Sequence, residues 1–426
     1  MEQDNAPTSP EPDLGPLFSV DPQPQLHAVY RALREQALVH LVPEPRTWLV
    51  STYDDVRAIV RDPATWSSCY PERFGTGVVE RAPSTPRTEA AFAGAYPWVP
   101  TLLFQDGPDH RRHRVTLGSG LDAARVRRLE PAIREIVEGL VDAFPIDGAV
   151  ELVRDLSAPL PVTVLAEALG VPVEDRARFR AWSDDVIELG APMDEDDSVR
   201  VIEGYVAFQH YLVTLIRARR AAPADDLLSA LVAKHDAAGG DPDATLPELL
   251  GICMLLLAAG NDTTTALINA LVVRLAEDPG LAATLREDPA RIPAAVEETL
   301  RLDSPVQMFQ RRAVCDTELR GQAVRAGDMA MVMYGSANRD PARWDDADAF
   351  RLDRSNIRDH VAFTHGPHHC AGAMLARTQA RIAVEVLLRR VPEFALDPAR
   401  PPRFLPDLMT RGYAEVPLVV AAVSGS

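Results

Sequence analysis

Cysteine is scarce in this chain of 426 residues: only Cys69, Cys253, Cys315 and Cys370, all far apart. Such scatter offers no disulfide framework and suits a reducing compartment, so a cytoplasmic location is expected. Basic residues are outnumbered, 44 against 62 acidic, for a net charge of −18. That balance argues against nucleic acid as the main partner. Long hydrophobic runs are missing too. The longest, Leu249–Gly260, is twelve residues and ends in Asn-Asp-Thr-Thr-Thr, too short to span a bilayer, so no membrane partner is expected. Met1–Gly15 is acidic and proline-rich, with neither a basic n-region nor an apolar stretch, and residues 1–20 read as a disordered lead-in. There is no Gly-x-Gly-x-x-Gly after a strand, no Gly-x-Ser-x-Gly elbow and no P-loop, which leaves dinucleotide, hydrolase and nucleotide-dependent readings without support.

What is present is the composition of a globular protein with a large core, 46% hydrophobic and 25% charged. Residues 21–426 are expected to form a single domain, although the length alone would suit two or three. Leu26–Leu38 carries apolar residues at helical spacing. Leu38–Val42 and Thr47–Ser51 read as strands of a hairpin around Pro43-Glu44-Pro45. Asp54–Arg61 is a short helix, and Cys69–Leu103 has no sustained period. A loop that long is commonly functional, and Phe74, Phe92, Tyr96 and Trp98 make it a candidate cover for an apolar substrate.

Pro108 suits the first turn of the next helix. His110 and Arg114, at i and i+4, share one of its faces and could clamp a carboxylate. Arg111, Arg112, Arg125, Arg127 and Arg128 read as a solvated face, or as a basic patch for an acidic partner. Helix follows helix from Leu129 to about Asp236, with a break at Gly148–Val153. Met193–Asp197 reads as an acidic loop.

Thr245-Leu246-Pro247-Glu248 predicts a capping box opening a helix that runs to about Glu277. At 1.5 Å per residue it is about 50 Å long and apolar nearly all round, so it must cross the middle of the molecule. Its centre nevertheless reads Ala259-Gly260-Asn261-Asp262-Thr263-Thr264-Thr265. A buried aspartate is costly without a partner, so the cluster points to function. Threonine hydroxyls bonding back to i−4 carbonyls are the plainer alternative. Arg291–Leu302 is another helix, with Glu298 and Arg301 side by side at i, i+3; on a surface such a pair is worth little. Extended chain follows at Ser304–Phe309, then Arg311, strands to Tyr334, and a long irregular segment.

That segment ends at Phe363-Thr364-His365-Gly366-Pro367-His368-His369-Cys370-Ala371-Gly372, just before the helical pattern Ala373–Arg390. A thiolate at a helix N-terminus is favoured by backbone N–H groups and the helix dipole, and it is a strong axial ligand for haem iron. Gly366 and Gly372 permit tight turning and close approach to a flat cofactor; Phe363 can cover the sulfur and His368 can reach an anion. Cys370 as a small buried hydrophobe, zinc on His368, His369 and Cys370, and a plain glycine turn are the competing readings.

Four stretches in order decide between them: Ala259-Gly260-Asn261-Asp262-Thr263-Thr264, Glu298-x-x-Arg301, Ala337-Asn338-Arg339-Asp340-Pro341, and Phe363-x-x-Gly366-x-His368-x-Cys370-x-Gly372. With them the chain resembles the soluble bacterial cytochromes P450, the haem-thiolate monooxygenases, over about Leu26–Val419. The resemblance implies a mainly α, single triangular cytochrome P450 fold with a long central helix and a small β-rich side. It implies haem b, with Cys370 as the iron ligand and His110, Arg114, Arg311 and His368 at its propionates. Ala259, Gly260, Phe363, Gly366 and Gly372 would lie against the cofactor. Glu298, Arg301, Arg339 and Arg354 would form a buried network, and Asp262 and Thr263 would deliver protons to dioxygen. Thr364 and Ala371 depart from the family, which usually has Gly and Leu there.

The expected reaction puts one oxygen atom of O2 into a small apolar organic substrate, by hydroxylation, epoxidation or dealkylation. A separate ferredoxin and reductase would supply electrons, docking near Arg111, Arg112 and Arg127. Tyr96, Trp98, Leu256, Ala259, Val306, Phe309 and Met409 are the candidate substrate contacts. A peroxide-driven or rearranging haem-thiolate enzyme is the alternative within the fold, disfavoured by Asp262-Thr263; a zinc-binding helical protein is the alternative outside it.

Overall fold

The structure, a computed structural model, describes residues 12–19, 23–70, 85–189 and 193–421. The expectations for residues 1–11 and for Phe74 lie outside them. The chain divides into two compact units.

The first unit takes in Met1–Ser67, Glu297–His369 and Arg403–Ala414. Its frame is a five-stranded sheet in the order Val39–Val42, Thr47–Val50, Met329–Val332, Phe309–Ala313, Trp66–Ser67. The first two strands form the expected hairpin, with Val42 opposite Thr47. Thr47–Val50 runs parallel to Met329–Val332, which lies antiparallel to Phe309–Ala313. Helix Tyr53–Arg61 turns Tyr53, Val56, Ile59 and Val60 inward at helical spacing. They join Trp48, Val332, Trp344 and Val361 in one apolar core. Helix Leu26–Gln36 packs Leu26, Val29, Tyr30 and Leu33 into a second core with Met308 and Met333. Residues 345–356 contain no helix or strand, as the sequence suggested.

The second unit takes in Ser68–Val296, Cys370–Pro402 and Glu415–Ser426 and is mostly helical. Its centre is the helix Leu246–Glu277, 32 residues long. This helix is long and apolar enough by composition to cross a membrane. Here Leu249, Leu250, Ile252, Cys253 and Leu257 pack against Leu165, Phe208, Leu212 and Leu228. Helix Ala373–Arg390 has the predicted bounds.

Two local expectations are corrected and a third is borne out. Thr245 makes no capping bond, and Glu248 turns instead to Arg112 and His113. A paired carboxylate outweighs a reciprocal cap because one of its partners, Arg112, is charged. The acidic stretch Met193–Asp197 is not a loop. Asp194 caps the helix Glu195–Ala221 by accepting from the Asp197 N–H, and three acidic residues fill the first turn, where the helix dipole favours them. Finally, the break at Gly148–Val153 holds the strand Gly148–Glu151, paired with Pro417–Ala421.

Candidate haem-thiolate site

In the second unit, Cys370 stands three residues before the helix Ala373–Arg390. The residue is exposed. Desolvation of its sulfur raises the thiol pKa; the N–H groups of Gly372 and Ala373 and the charges of Arg114 and Arg377 act the other way. Burial lowers the Arg114 pKa, and the field of Cys370 opposes that. Arg114 comes from the helix Gly107–Gly120, one turn after His110, which is buried.

The middle of the long helix is open where a core helix should be closed. Ala258 and Ala259 are exposed, and among the described residues a Cβ built on Gly260 would meet nothing within 4 Å. Gly260, Asn261 and Thr264 line a pocket with Leu256, Gly372 and Leu375. A Cβ on Gly372 would stand 3.9 Å from the Cys370 sulfur. Asp262 and Thr263 are half-buried. The Thr263 hydroxyl donates to the Ala259 carbonyl at 2.8 Å, the i−4 bond named as the plainer alternative, and Thr265 donates to the Ser157 carbonyl at 2.9 Å.

Of the substrate candidates in this unit, Leu256 lines the pocket and Ala259 is exposed. Tyr96 is tied down: its N–H donates to Gln209 Oε1 at 2.9 Å and its ring lies 5.2 Å from that of His210. Trp98 is exposed, with its ring 6.2 Å from Phe104.

In the first unit, Phe363 has its ring 6.0 Å from His360 and 6.5 Å from His369. Gly366 has φ +73°, and a Cβ there would come within 2.8 Å of the Val60 carbonyl oxygen, so only glycine fits. His368 is half-buried at the end of a short turn, Gly366–His368. Arg311 is buried and donates to the Gln310 carbonyl at 2.7 Å. Phe309 lies near its guanidinium, at 5.9 Å. Val306 and Met409 are drawn together: Val306 bridges Thr410, and the Gln307 N–H donates to the Met409 carbonyl at 2.7 Å.

The same unit contains the buried network. Glu298, Arg301, Arg339 and Arg354 are all buried. Arg301 donates to the carbonyls of Asn338, Ala347 and Ala349 as well as to Glu298. Arg339 donates to the Leu302 carbonyl at 2.9 Å and to Asp348 at 2.6 Å. Two further buried polar side chains in this unit carry no local sequence signal: Asn338, and His360, whose Nε2 lies 2.9 Å from Glu297 Oε2. Neither has a spacing signal, because Ser304 and Val361, which meet the Asn338 side chain, and Glu297, which meets His360, lie 23 or more residues away.

Comparison with known proteins bears on the whole chain. A sequence model of the family described as Cytochrome P450 matches residues 206–410. Cytochrome P450 monooxygenase PikC of Streptomyces venezuelae is 37% identical over 98% of this chain and 96% of its own length. The chain belongs to the cytochrome P450 family. The mycinamicin IV hydroxylase/epoxidase of Micromonospora griseorubida is 36% identical to this P450, covering 97% of it and 100% of the relative. Among solved structures, ligand-free cytochrome P450 TbtJ1 superposes with a TM-score of 0.80 at 33% identity, over 93% of this chain and 98% of that one. CYP109Q5 from Chondromyces apiculatus also gives 0.80, at 29% identity and 94% and 96% coverage. The mainly α P450 fold, the monooxygenase activity and haem b as cofactor are therefore established for this P450. Its residues fit that cofactor: a thiol stands before a helix, and the pocket between Gly260 and Gly372 has room where side chains would otherwise project.

Proposed function

We propose that this P450 oxygenates an apolar natural product, with Cys370 as the thiolate ligand of the haem. The observation that carries the site is the opening of the long helix at Ala258–Gly260, in a pocket shared with Gly372. No packing economy explains exposed alanines at the centre of a core helix, and a flat apolar cofactor does. The bound haem supplies the activation of dioxygen. Around it the chain's own residues orient, shield and move protons. His110, Arg114, Arg311 and His368 hold the propionates, each as a donor or cation. Phe363, Gly366 and Gly372 shape the turn that holds the thiolate. Asp262 passes protons inward, and the Thr263 oxygen, its own hydrogen spent on Ala259, accepts a hydrogen bond beside the reacting dioxygen.

Leu256, Ala259, Val306, Phe309 and Met409 supply an apolar lining for the substrate, and Tyr96 and Trp98 a cover. The names of similar proteins, the mycinamicin IV hydroxylase/epoxidase and the nocardicin C N-oxygenase, favour tailoring of a secondary metabolite. A cytoplasmic ferredoxin is the proposed electron donor. Arg111 and Arg127 are exposed on the basic stretch, whereas Arg112 is engaged by Glu248 and Asp109 and contributes less. Charge reversal at Arg111 and Arg127 should slow ferredoxin-supported reduction, with the defect fading at high salt.

The deciding measurement is the absorption of the reduced, carbon-monoxide-treated protein. A strongly red-shifted Soret band that disappears in Cys370→Ser is the expected result; a band that survives the substitution removes the assignment. A panel of apolar natural products, followed by the shift of the haem absorption on binding, then identifies the substrate.

A further inference from the structure

Asn338 sits fully buried in the first unit, with one side-chain amide joined to two segments far apart in sequence. Its Nδ2 donates to the Ser304 hydroxyl oxygen at 2.8 Å, and its Oδ1 accepts the N–H of Val361 at 2.7 Å. The orientation of the amide is fixed by chemistry, because the Val361 N–H can only donate and so must face the oxygen. The Asn338 main chain is pinned as well. Its carbonyl accepts from Arg301 Nη1 at 2.8 Å and its N–H donates to the Tyr334 carbonyl at 2.9 Å.

Each segment so joined leads to part of the proposed site. Ser304 is fully buried at φ +40°, a left-handed conformation that costs a non-glycine residue about 1–3 kcal/mol unless its surroundings impose it. Two residues on is Val306, in the stretch locked to Met409–Arg411 by the Gln307 and Arg411 N–H groups. At the other end, Val361 is fully buried, and its carbonyl accepts the N–H of Thr364, opening the turn that runs on to Cys370. One planar amide cannot shift at one end without moving at the other.

We propose that Asn338 is a positioning residue that couples the Ser304–Phe309 wall to the Val361–His369 approach to the thiolate. A substrate pressing on Val306 is thereby felt by the segment that presents Cys370. The proposal rests on the site reading given above.

Amide hydrogen exchange on the purified holoenzyme tests it, using Ser304→Ala, Asn338→Ala and the double variant. Ser304→Ala leaves Asn338 and Val361 untouched chemically. It should nevertheless raise exchange across 361–369 by about tenfold, with strand Met329–Val332 unchanged. It should also lower the fraction of reduced, carbon-monoxide-bound protein showing the red-shifted Soret band. Asn338→Ala should do both more strongly, and the double variant should match it, since both substitutions cut one path. Unchanged exchange at 361–369 in Ser304→Ala overturns the proposal, as does an equal rise in Met329–Val332, which marks general loosening. If Asn338→Ala does not fold, Ser304→Ala decides alone. Lack of the red-shifted band in the unmutated protein defeats the thiolate reading instead, and leaves the exchange result to stand by itself.

Discussion

Glu298 grips Arg301 at two points, with Arg301 Nε 2.9 Å from Oε2 and Nη2 2.7 Å from Oε1, and both side chains fully buried. Oε1 also accepts from Arg354 Nε at 2.8 Å and from the Arg351 N–H at 3.0 Å. Burial turns an unremarkable i, i+3 pair into a structural keystone, because removing the carboxylate strands two guanidiniums away from water. Glu298→Ala should cost about 3–5 kcal/mol in urea unfolding, and holoenzyme yield should fall with it. Removing the Asp348 carboxylate from Arg31, an exposed pair at 2.9 Å, would confound the test because Arg339 also uses it. Arg31→Ala is the clean control and should change stability by less than about 1 kcal/mol.

Gly366 tolerates no side chain. Its φ of +73° is left-handed, and an added Cβ would meet the Val60 backbone at 2.8 Å. Gly366→Ala should therefore lose at least about 2 kcal/mol, read as a lowered thermal midpoint. An unchanged midpoint would mean that the turn has another conformation.

Thr364 shows the opposite imbalance. It has φ +54°, and its buried hydroxyl oxygen has no hydrogen-bond partner among the described residues. A β-branched residue is strained there, and the orphan hydroxyl adds to the cost. Thr364→Gly should raise stability by about 1 kcal/mol, reduced by the extra entropy of glycine in the unfolded chain. Differential scanning calorimetry of the two proteins measures the shift.

Acid should weaken the helical unit at a definite place. Burial pushes the Glu248 carboxyl up, but Arg112 and His113 more than offset this and hold it at about 2, below its ordinary 4.5. A carboxylate with a depressed pKa stabilises fully above the ordinary value and loses that contribution as pH falls from about 4.5 to about 2. Linkage sets an upper bound on the order of 3 kcal/mol, and solvent screening of this half-buried group reduces it. Burial also keeps His113 below the usual histidine range, so its protonation works in the same direction. The thermal midpoint should drop steeply across this window in the parent and less in Glu248→Gln. The two curves should converge at the acid end.

Proton delivery is testable without knowing the natural substrate's fate in detail. Thr263→Ala and Asp262→Asn should each divert reducing equivalents into hydrogen peroxide, lowering product formed per electron pair by about tenfold. Peroxide yield equal to that of the parent would remove both residues from the relay. Turnover with hydrogen peroxide alone that matched ferredoxin-supported turnover would favour the peroxide-driven alternative.

The reaction class was legible because its chemistry needs fixed residue types at fixed local spacings. A thiol flanked by glycines before a helix, and a polar interruption in an apolar helix, are one-dimensional signals. Helix bounds such as Ala373–Arg390 and Leu246–Glu277 were readable for the same reason, since helical periodicity and breaker residues act over a few positions. The capping box failed because Glu248 found Arg112 and His113 on a distant helix, which no local pattern could announce.

Sequence by itself thus determined the cofactor, the candidate ligand, and which helix must run through a core. Tertiary structure alone decided what each polar group is worth. Glu298 and Arg301 would be a weak pair on a surface and become a network only when buried. Asn338 gains its role only because folding carries Ser304 and Val361 to opposite ends of one amide. Burial and long-range pairing set those energies, and both are properties of the packed chain rather than of neighbouring residues.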